Sequence, residues 1–394
     1  MTSSVSIVIP TWNGLDLLKQ FLPSVIAAAH YYGKHSFAQT EIIIVDDGSL
    51  DGTIDWLIAE GFQGRRTAGA GEGSEEEAAN QVAPRSITVE APPAVSRPAA
   101  PALRFIRNQT NRGFGETCNR GVEAAISPLV LLLNNDVDLA EDAIAPLVEN
   151  FSDPALFAAH CRVIAFESGQ ECGSGKLGSF ARGFIRVHRS YTCLTETGSE
   201  QSDTASACDA KLYSMFAGGG SAMFDREKFL SIGAFEALLS PFYWEDVELS
   251  HRAWKRGYFV VYEPRSVARH RVSSTIRKLD RRMVRRIQRR NRLIYHWIHL
   301  HDGRMLASHI LWVALLALTA PLRLQPGFIS SLAAALKALP RIRARRREEK
   351  RLAKRNDREV FEFFSTLERR PDVAVYDDLN DLQRLKHGQK VVRE

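Results

Sequence analysis

Along its first half the chain alternates continuous apolar runs with stretches of helical period. Val5-Ser-Ile-Val-Ile9 is a short β-branched run, and helical periodicity follows from Leu15 to about Tyr31. Glu41-Ile-Ile-Ile-Val45 is a second apolar run of strand length, closed by the turn signal Asp46-Asp47-Gly48-Ser49. Leu103 to Ile106 and Leu129 to Leu133 repeat the theme, with a helix expected from about Gly115 to Ile126. Strands that are apolar throughout, separated by helices, are covered on both faces. This predicts an α/β fold, a Rossmann-like, mostly parallel sheet flanked by helices. Ligands of such sheets bind at the carboxyl ends of the strands. The polar clusters Thr11-Trp12-Asn13, Asp46-Asp47 and Asn134 to Asp138 fall there.

Two stretches break the alternation. Residues 61–102 are rich in Gly, Ala, Pro and Glu with little to bury, and read as a disordered or loosely held insertion. Residues 167–210 are rich in Ser, Gly and Thr and are expected to form loops over the sheet. Beyond about residue 275 the pattern changes. Arg277-Lys278, Arg281-Arg282, Arg285-Arg286 and Arg289-Arg290 recur every four residues, a broad positive stripe on a helix. The chain is therefore divided into residues 1–275, an α/β domain, and 276–394, a helical, basic and partly apolar extension.

Composition adds limits. Length 394 allows two or three domains, and 45% hydrophobic with 25% charged residues excludes a disordered chain, a collagen-like repeat or a polytopic membrane protein. The net charge of +6 is unevenly placed: residues 277–292 and 341–355 together carry +15, which leaves −9 on the rest. Five cysteines with no C-x-x-C pair argue against a zinc site or a disulfide framework. With no basic, apolar leader before Val5, a cytoplasmic body is expected. Met305 to Leu322 is marginal for a span, since Ser308, His309 and Thr319 interrupt it and Pro321 closes it. Basic runs on both sides of this apolar stretch suit a segment lying on an anionic inner leaflet. Bases would stack on interleaved aromatics, which the stripe lacks, so no nucleic-acid partner is expected.

Three groups carry candidate chemistry. Asp136 and Asp138 leave the end of the Leu129 to Leu133 strand one residue apart, a spacing suited to a hard divalent cation, Mn²⁺ or Mg²⁺, shared with phosphates. A turn that uses Asn and Asp for local bonds explains them equally well. Glu245 and Asp246 begin a helix beside Phe242-Tyr243-Trp244, an aromatic group suited to shield a carboxylate and hold a substrate ring, which makes a general base. His270 follows another strand, from Phe259 to Tyr262. His296, His299 and His301 are near one another, but an aromatic-rich helix packing on the body explains them better than a metal does.

Ile7-Val-Ile-Pro-Thr-Trp-Asn13, Val45-Asp-Asp-Gly-Ser49, Asn111-Arg-Gly-Phe-Gly115 with Asn119, Leu132-Leu-Asn-Asn-Asp136, Gly218 to Met223 and Trp244-Glu-Asp-Val-Glu-Leu249 occur in this order. The series resembles glycosyltransferase family 2, the inverting nucleotide-sugar transferases with the A-type fold, over roughly residues 4–272. The resemblance implies that Pro10, Trp12, Asn13 and Asp47 hold the nucleoside, and that Asn111, Gly113, Asn119 and Asn135 complete the nucleotide site. It implies a metal on Asp136, because Asn134 replaces the first acid of the family's Asp-x-Asp motif, with Asp138 and His270 in support. Asp246 resembles the catalytic base, with Glu245 and Glu248 beside it, and Gly219 and Trp244 fall on the acceptor side.

These implications give the expected function: metal-dependent inverting transfer from a nucleoside-diphosphate sugar to a hydroxyl of a lipid-linked or cell-surface glycan at an anionic membrane surface. Two other classes remain open from the sequence. One is a non-catalytic nucleotide- or RNA-binding scaffold that uses the basic tail. The other is a nucleotidyltransferase on a similar sheet, which releases pyrophosphate instead of a nucleoside diphosphate.

Overall fold

A computed structural model describes residues 3–66, 100–193, 211–271, 279–321 and 326–376. The first half is β1 (Val5–Thr11), α1 (Leu15–Ser36), β2 (Thr40–Asp46), α2 (Thr53–Ala59), β3 (Gln63–Arg66), β4 (Ala102–Arg107), α3 (Phe114–Ala124), β5 (Leu129–Leu133), β6 (Val137–Leu139), α4 (Ile144–Glu149) and β7 (Leu156–Ala165). Short strands follow: β8 (Glu171–Gly173), β9 (Gly175–Lys176), β10 (Ser179–Ala181), β11 (Phe184–Arg186) and β12 (Ser190–Cys193). The body closes with β13 (Ser221–Asp225), α5 (Arg226–Ser231), α6 (Glu245–Lys255) and β14 (Phe259–His270). The extension is α7 (Arg281–His299), α8 (Gly303–Thr319), α9 (Pro326–Lys337), α10 (Leu339–Leu352), α11 (Asp357–Glu368) and β15 (Val373–Tyr376).

The main sheet runs β3-β4-β2-β1-β5-β13-β7-β14-β6, with β8 beside β7. From β3 to β5 every pairing is parallel, and β13 enters antiparallel to both β5 and β7. The apolar runs become these strands because both faces are covered: Ile42 to Val45 and Val130 to Leu133 are fully buried, so alternation with polar residues has no place there. Helix α3 lies close against this sheet, since a Cβ on Gly121 would stand 2.2 Å from the Val8 side chain.

The insertion expected over 61–102 starts later than its composition implied. Gln63–Arg66 pairs in parallel with β4 as an edge strand, and 67–99 lie outside the described residues. The loops expected over 167–210 are partly short strands, with β12 pairing to both β9 and β15; residues 194–210 lie outside the described residues.

Residues on both sides of position 275 share one core. Tyr295 and Leu300, at the end of α7, and Val360, Phe361, Phe364 and Leu367 of α11 pack in the same cluster as Val8, Ile43 and Leu132 of the sheet. Trp254 of α6 sits 5.0 Å, ring to ring, from Phe364. Phe364→Ala is expected to cost ~3–5 kcal/mol by leaving a cavity in this core, measured by denaturant unfolding.

Candidate functional site

A cavity of about 520 Å³ opens over the carboxyl ends of β1, β2 and β5 and the start of α6. Pro10, Trp12, Asp47, Asn111, Gly113, Asn135, Asp136, Gly219, Glu245, Asp246 and His270 all line it. Its size suits a ligand larger than a single sugar ring.

Asp47 organises one wall. Its carboxylate accepts from Asn108 Nδ2 (2.8 Å) and from the backbone N–H groups of Arg112 (2.9 Å) and Gly113 (2.9 Å), which fixes the loop that carries Asn111. Gly113 has φ 89°, and a Cβ there would meet the Pro241 backbone at 2.8 Å, so glycine is required on both counts. Asn135 donates from Nδ2 to Thr11 Oγ1 (2.9 Å), tying the end of β5 to the end of β1.

Asp136 is nearly buried, and its carboxylate lies 2.9 Å from His270 Nε2. A carboxylate and an imidazole facing one cavity are the donor types that Mn²⁺ accepts, and a cation held by two protein groups keeps positions for phosphate oxygens and water. The pair therefore fits a divalent cation. Among the described residues no group of three or more His, Cys, Asp or Glu is placed to hold a metal. Asp138 does not join the pair: β6 buries Val137 and Leu139, which turns Asp138 outward to Arg269 of β14, at 3.3 Å.

The two acids at the start of α6 sit in different surroundings. Burial and the neighbouring Asp246 push Glu245 up to about 8, and its Oε2 has no hydrogen-bond partner among the described residues. Burial also raises Asp246, but the N–H groups of Val247 (2.8 Å) and Gly219 oppose it by binding the ionised form. Near neutral pH Glu245 thus holds its proton, while the N–H groups of Val247 and Gly219 favour the ionised form of Asp246.

Four more expected residues lie outside the cavity wall. Asn13 accepts from the Leu50 N–H (2.8 Å) through its side chain, and Asn119 exchanges bonds with the Phe235 backbone (2.9 Å each way), so both brace loops. Trp244 has φ 77° and turns its ring onto Tyr295 of α7, 5.3 Å away. Its neighbours Phe242 and Tyr243 line the cavity instead. Glu248 is fully buried between Arg252 (2.5 Å) and His299 (2.7 Å), away from the cavity. Leu279 and Met283 line the cavity from the extension, a contribution that the sequence reading did not assign. The two apolar positions at the start of an otherwise basic helix were the available signal.

Fold and site together define an α/β protein with its cavity at the carboxyl edge of the sheet. The chain belongs to glycosyl transferase family 2, whose model matches residues 6–65 and 93–229, and it is a glycosyltransferase. No curated protein sequence matches it. It is similar in structure to GalNAc-T7 with UDP, GalNAc and Mn²⁺ at 16% identity and TM-score 0.48, covering 76% of this chain and 49% of that one. It is also similar to the mannosyltransferase PcManGT from Pyrobaculum calidifontis in complex with GDP-Man and Mn²⁺ (16% identity, TM-score 0.45, covering 86% and 88%). A third is S. aureus TarS 1-349 in complex with UDP-GlcNAc (13% identity, TM-score 0.46, covering 92% of each).

The raised Glu245 has a consequence for stability. A carboxyl whose folded-state value lies above its unfolded value binds more protons when folded, so stability falls as pH rises from about 4.5 to about 8. Glu245→Gln removes that loss and is expected to raise the melting temperature above pH 8 while changing it little near pH 4, measured by thermal unfolding across pH.

Proposed function

We propose that this glycosyltransferase moves a sugar from a nucleoside-diphosphate sugar to a hydroxyl of a lipid-linked or cell-surface glycan by a single inverting displacement. The observation that carries the reading is one cavity lined by both Asp246 and the Asp136–His270 pair. Asp246 takes the proton of the acceptor hydroxyl as its oxygen bonds to the anomeric carbon and the bond to the diphosphate breaks. Pro10 and Trp12 flank the base, and Asp47 holds the loop of Asn111 and Gly113 around the nucleotide. A divalent cation, Mn²⁺ or Mg²⁺, held by Asp136 and His270 would act as a Lewis acid toward the departing diphosphate. Protonated Glu245 leaves the charge of Asp246 unopposed by a second anion.

A panel of nucleotide sugars with Mn²⁺ or Mg²⁺ identifies the donor. Asp246→Asn is expected to bind the nucleoside diphosphate as the parent does and to lose transfer by ~10²–10⁴-fold, measured by calorimetry and product release. Undiminished transfer removes Asp246 as the base.

We further propose that the protein works on the inner, cytoplasmic face of an anionic membrane. No helix among the described residues is long and apolar enough to cross a membrane. Helix α8 instead presents Ile310, Leu311, Leu315 and Leu318 on one face, 59%, 70%, 45% and 77% exposed, while His309 and Val313 on the other face are buried. Exposed arginines at 281, 282, 285 and 286 on α7 and at 341, 343 and 347 on α10 supply charge that attracts anionic headgroups. Leu311→Glu with Leu318→Glu is expected to cut co-flotation with phosphatidylglycerol vesicles by at least ~10-fold. Equal flotation of parent and variant overturns the membrane reading.

A further inference from the structure

Helix α7 does more than carry charge. Met283 in its first turn and Leu279 just before it line the cavity, and its middle meets the loop from Leu239 to Trp244 that leads into α6. Pro241, Phe242 and Tyr243 of this loop form a wall of the cavity, and Glu245 and Asp246 follow at once. Tyr243 and Trp244 both hold left-handed backbone, φ 72° and 77°, which side chains of their size adopt only when their surroundings impose it.

Asn291 of α7 supplies such a restraint. It is fully buried, and its Nδ2 donates to the carbonyl oxygens of Leu239, Phe242 (3.0 Å) and Tyr243 (3.0 Å). Its Oδ1 accepts from Arg290 Nε (2.9 Å) and Nη2 (2.6 Å), which fixes the orientation of the amide, since only the nitrogen can face three carbonyls. Arg290 also donates to the Ser240 carbonyl. Two adjacent residues of α7 thus grip the carbonyls of Leu239, Ser240, Phe242 and Tyr243. The Pro241 carbonyl then accepts from the Phe114 N–H (2.9 Å), which passes the restraint to the start of α3 beside the nucleotide loop.

We propose that Asn291 is a positioning residue for transfer: by holding the backbone of Leu239 to Tyr243 it sets the aromatic acceptor wall and the first turn of α6 on which the base stands. The inference rests on the function proposed above. A buried Asn that merely fills space would be replaceable by an isosteric group, whereas a donor to three carbonyls is not, because a carboxylate in its place repels them.

Asn291→Asp keeps the volume and the acceptor for Arg290 and removes the donor. Measured on folded protein, it is expected to lower kcat by ~100-fold with KM for the donor sugar changed less than ~3-fold. Hydrogen exchange of peptides covering 239–246 is expected to accelerate in the variant while the β1 and β5 peptides stay protected. Leu293→Ala, a buried cut on the same helix that leaves the amide in place, is the control: it lowers the melting temperature without changing kcat. Arg290→Lys, which weakens the hold on Oδ1 without removing the charge, gives the same changes on a smaller scale should Asn291→Asp not fold. Parent-like kcat and exchange in Asn291→Asp, or equal kcat losses in Asn291→Asp and Leu293→Ala, overturn the proposal. If the parent transfers no sugar, the function reading fails, and the exchange result alone decides whether Asn291 holds the loop.

Discussion

Helix α6 is almost wholly enclosed although five of its eleven residues are acidic or basic, and that constraint organises the molecule around it. Nine of the eleven are buried, so each ionised group needs a partner inside the protein. Glu248 is bridged by Arg252 and His299, and Lys255 meets Asp357 (2.6 Å), the His299 carbonyl (2.8 Å) and His301 (2.8 Å). Glu245 and Asp246, at the cavity end, are left to face a ligand. Removing one member of these pairs strands the other in a medium of low polarity, which costs far more than an exposed ion pair is worth. The helix that carries the proposed base is thereby tied to α7 and α11 by charge as well as by packing.

The charge of the basic extension is therefore not all available to a partner. Arg345 bridges to Glu236 (2.9 Å), Glu348 (2.6 Å) and Glu349 (3.1 Å), Arg355 donates to the carbonyls of Trp254, Gly257 and Tyr258, and Arg292 lies over the rings of Phe184 and Trp244. These arginines close the body, and the exposed ones at either end of the α8–α9 pair remain for a surface. A sequence count of +15 merges the two populations.

The sheet was legible because its strands are apolar without alternation, and the place of the cavity followed from polar clusters at strand ends. What misled was spacing taken without direction. Asp136 and Asp138 are one residue apart, yet β6 turns Asp138 outward to Arg269, away from His270. Trp244 belongs to an aromatic triplet, but its left-handed backbone turns the ring toward α7 and leaves Phe242 and Tyr243 at the cavity. The contributions of Leu279, Met283 and Asn291 depend on α7 folding back over the body, a long-range contact of which local pattern shows only two apolar positions in a basic stretch. The grouping of His296, His299 and His301 resolved as packing: His296 accepts from the Ile185 N–H (2.8 Å), while the other two serve the α6 network.

The site therefore divides by origin. The carboxyl ends of β1, β2 and β5, joined by His270, supply one wall of the cavity, which under the proposed function faces the nucleotide and the cation. The loop into α6 and the start of α7 supply the opposite wall, where an acceptor must stand for its hydroxyl to reach Asp246. Substitutions in α7 can then reshape the acceptor wall while the strand ends stay as they are, because the sheet does not pass through the loop that Asn291 holds. Under the proposed function, such an arrangement lets one donor-side frame serve different acceptors through changes in the extension, whose α7 and α11 share the core of the sheet.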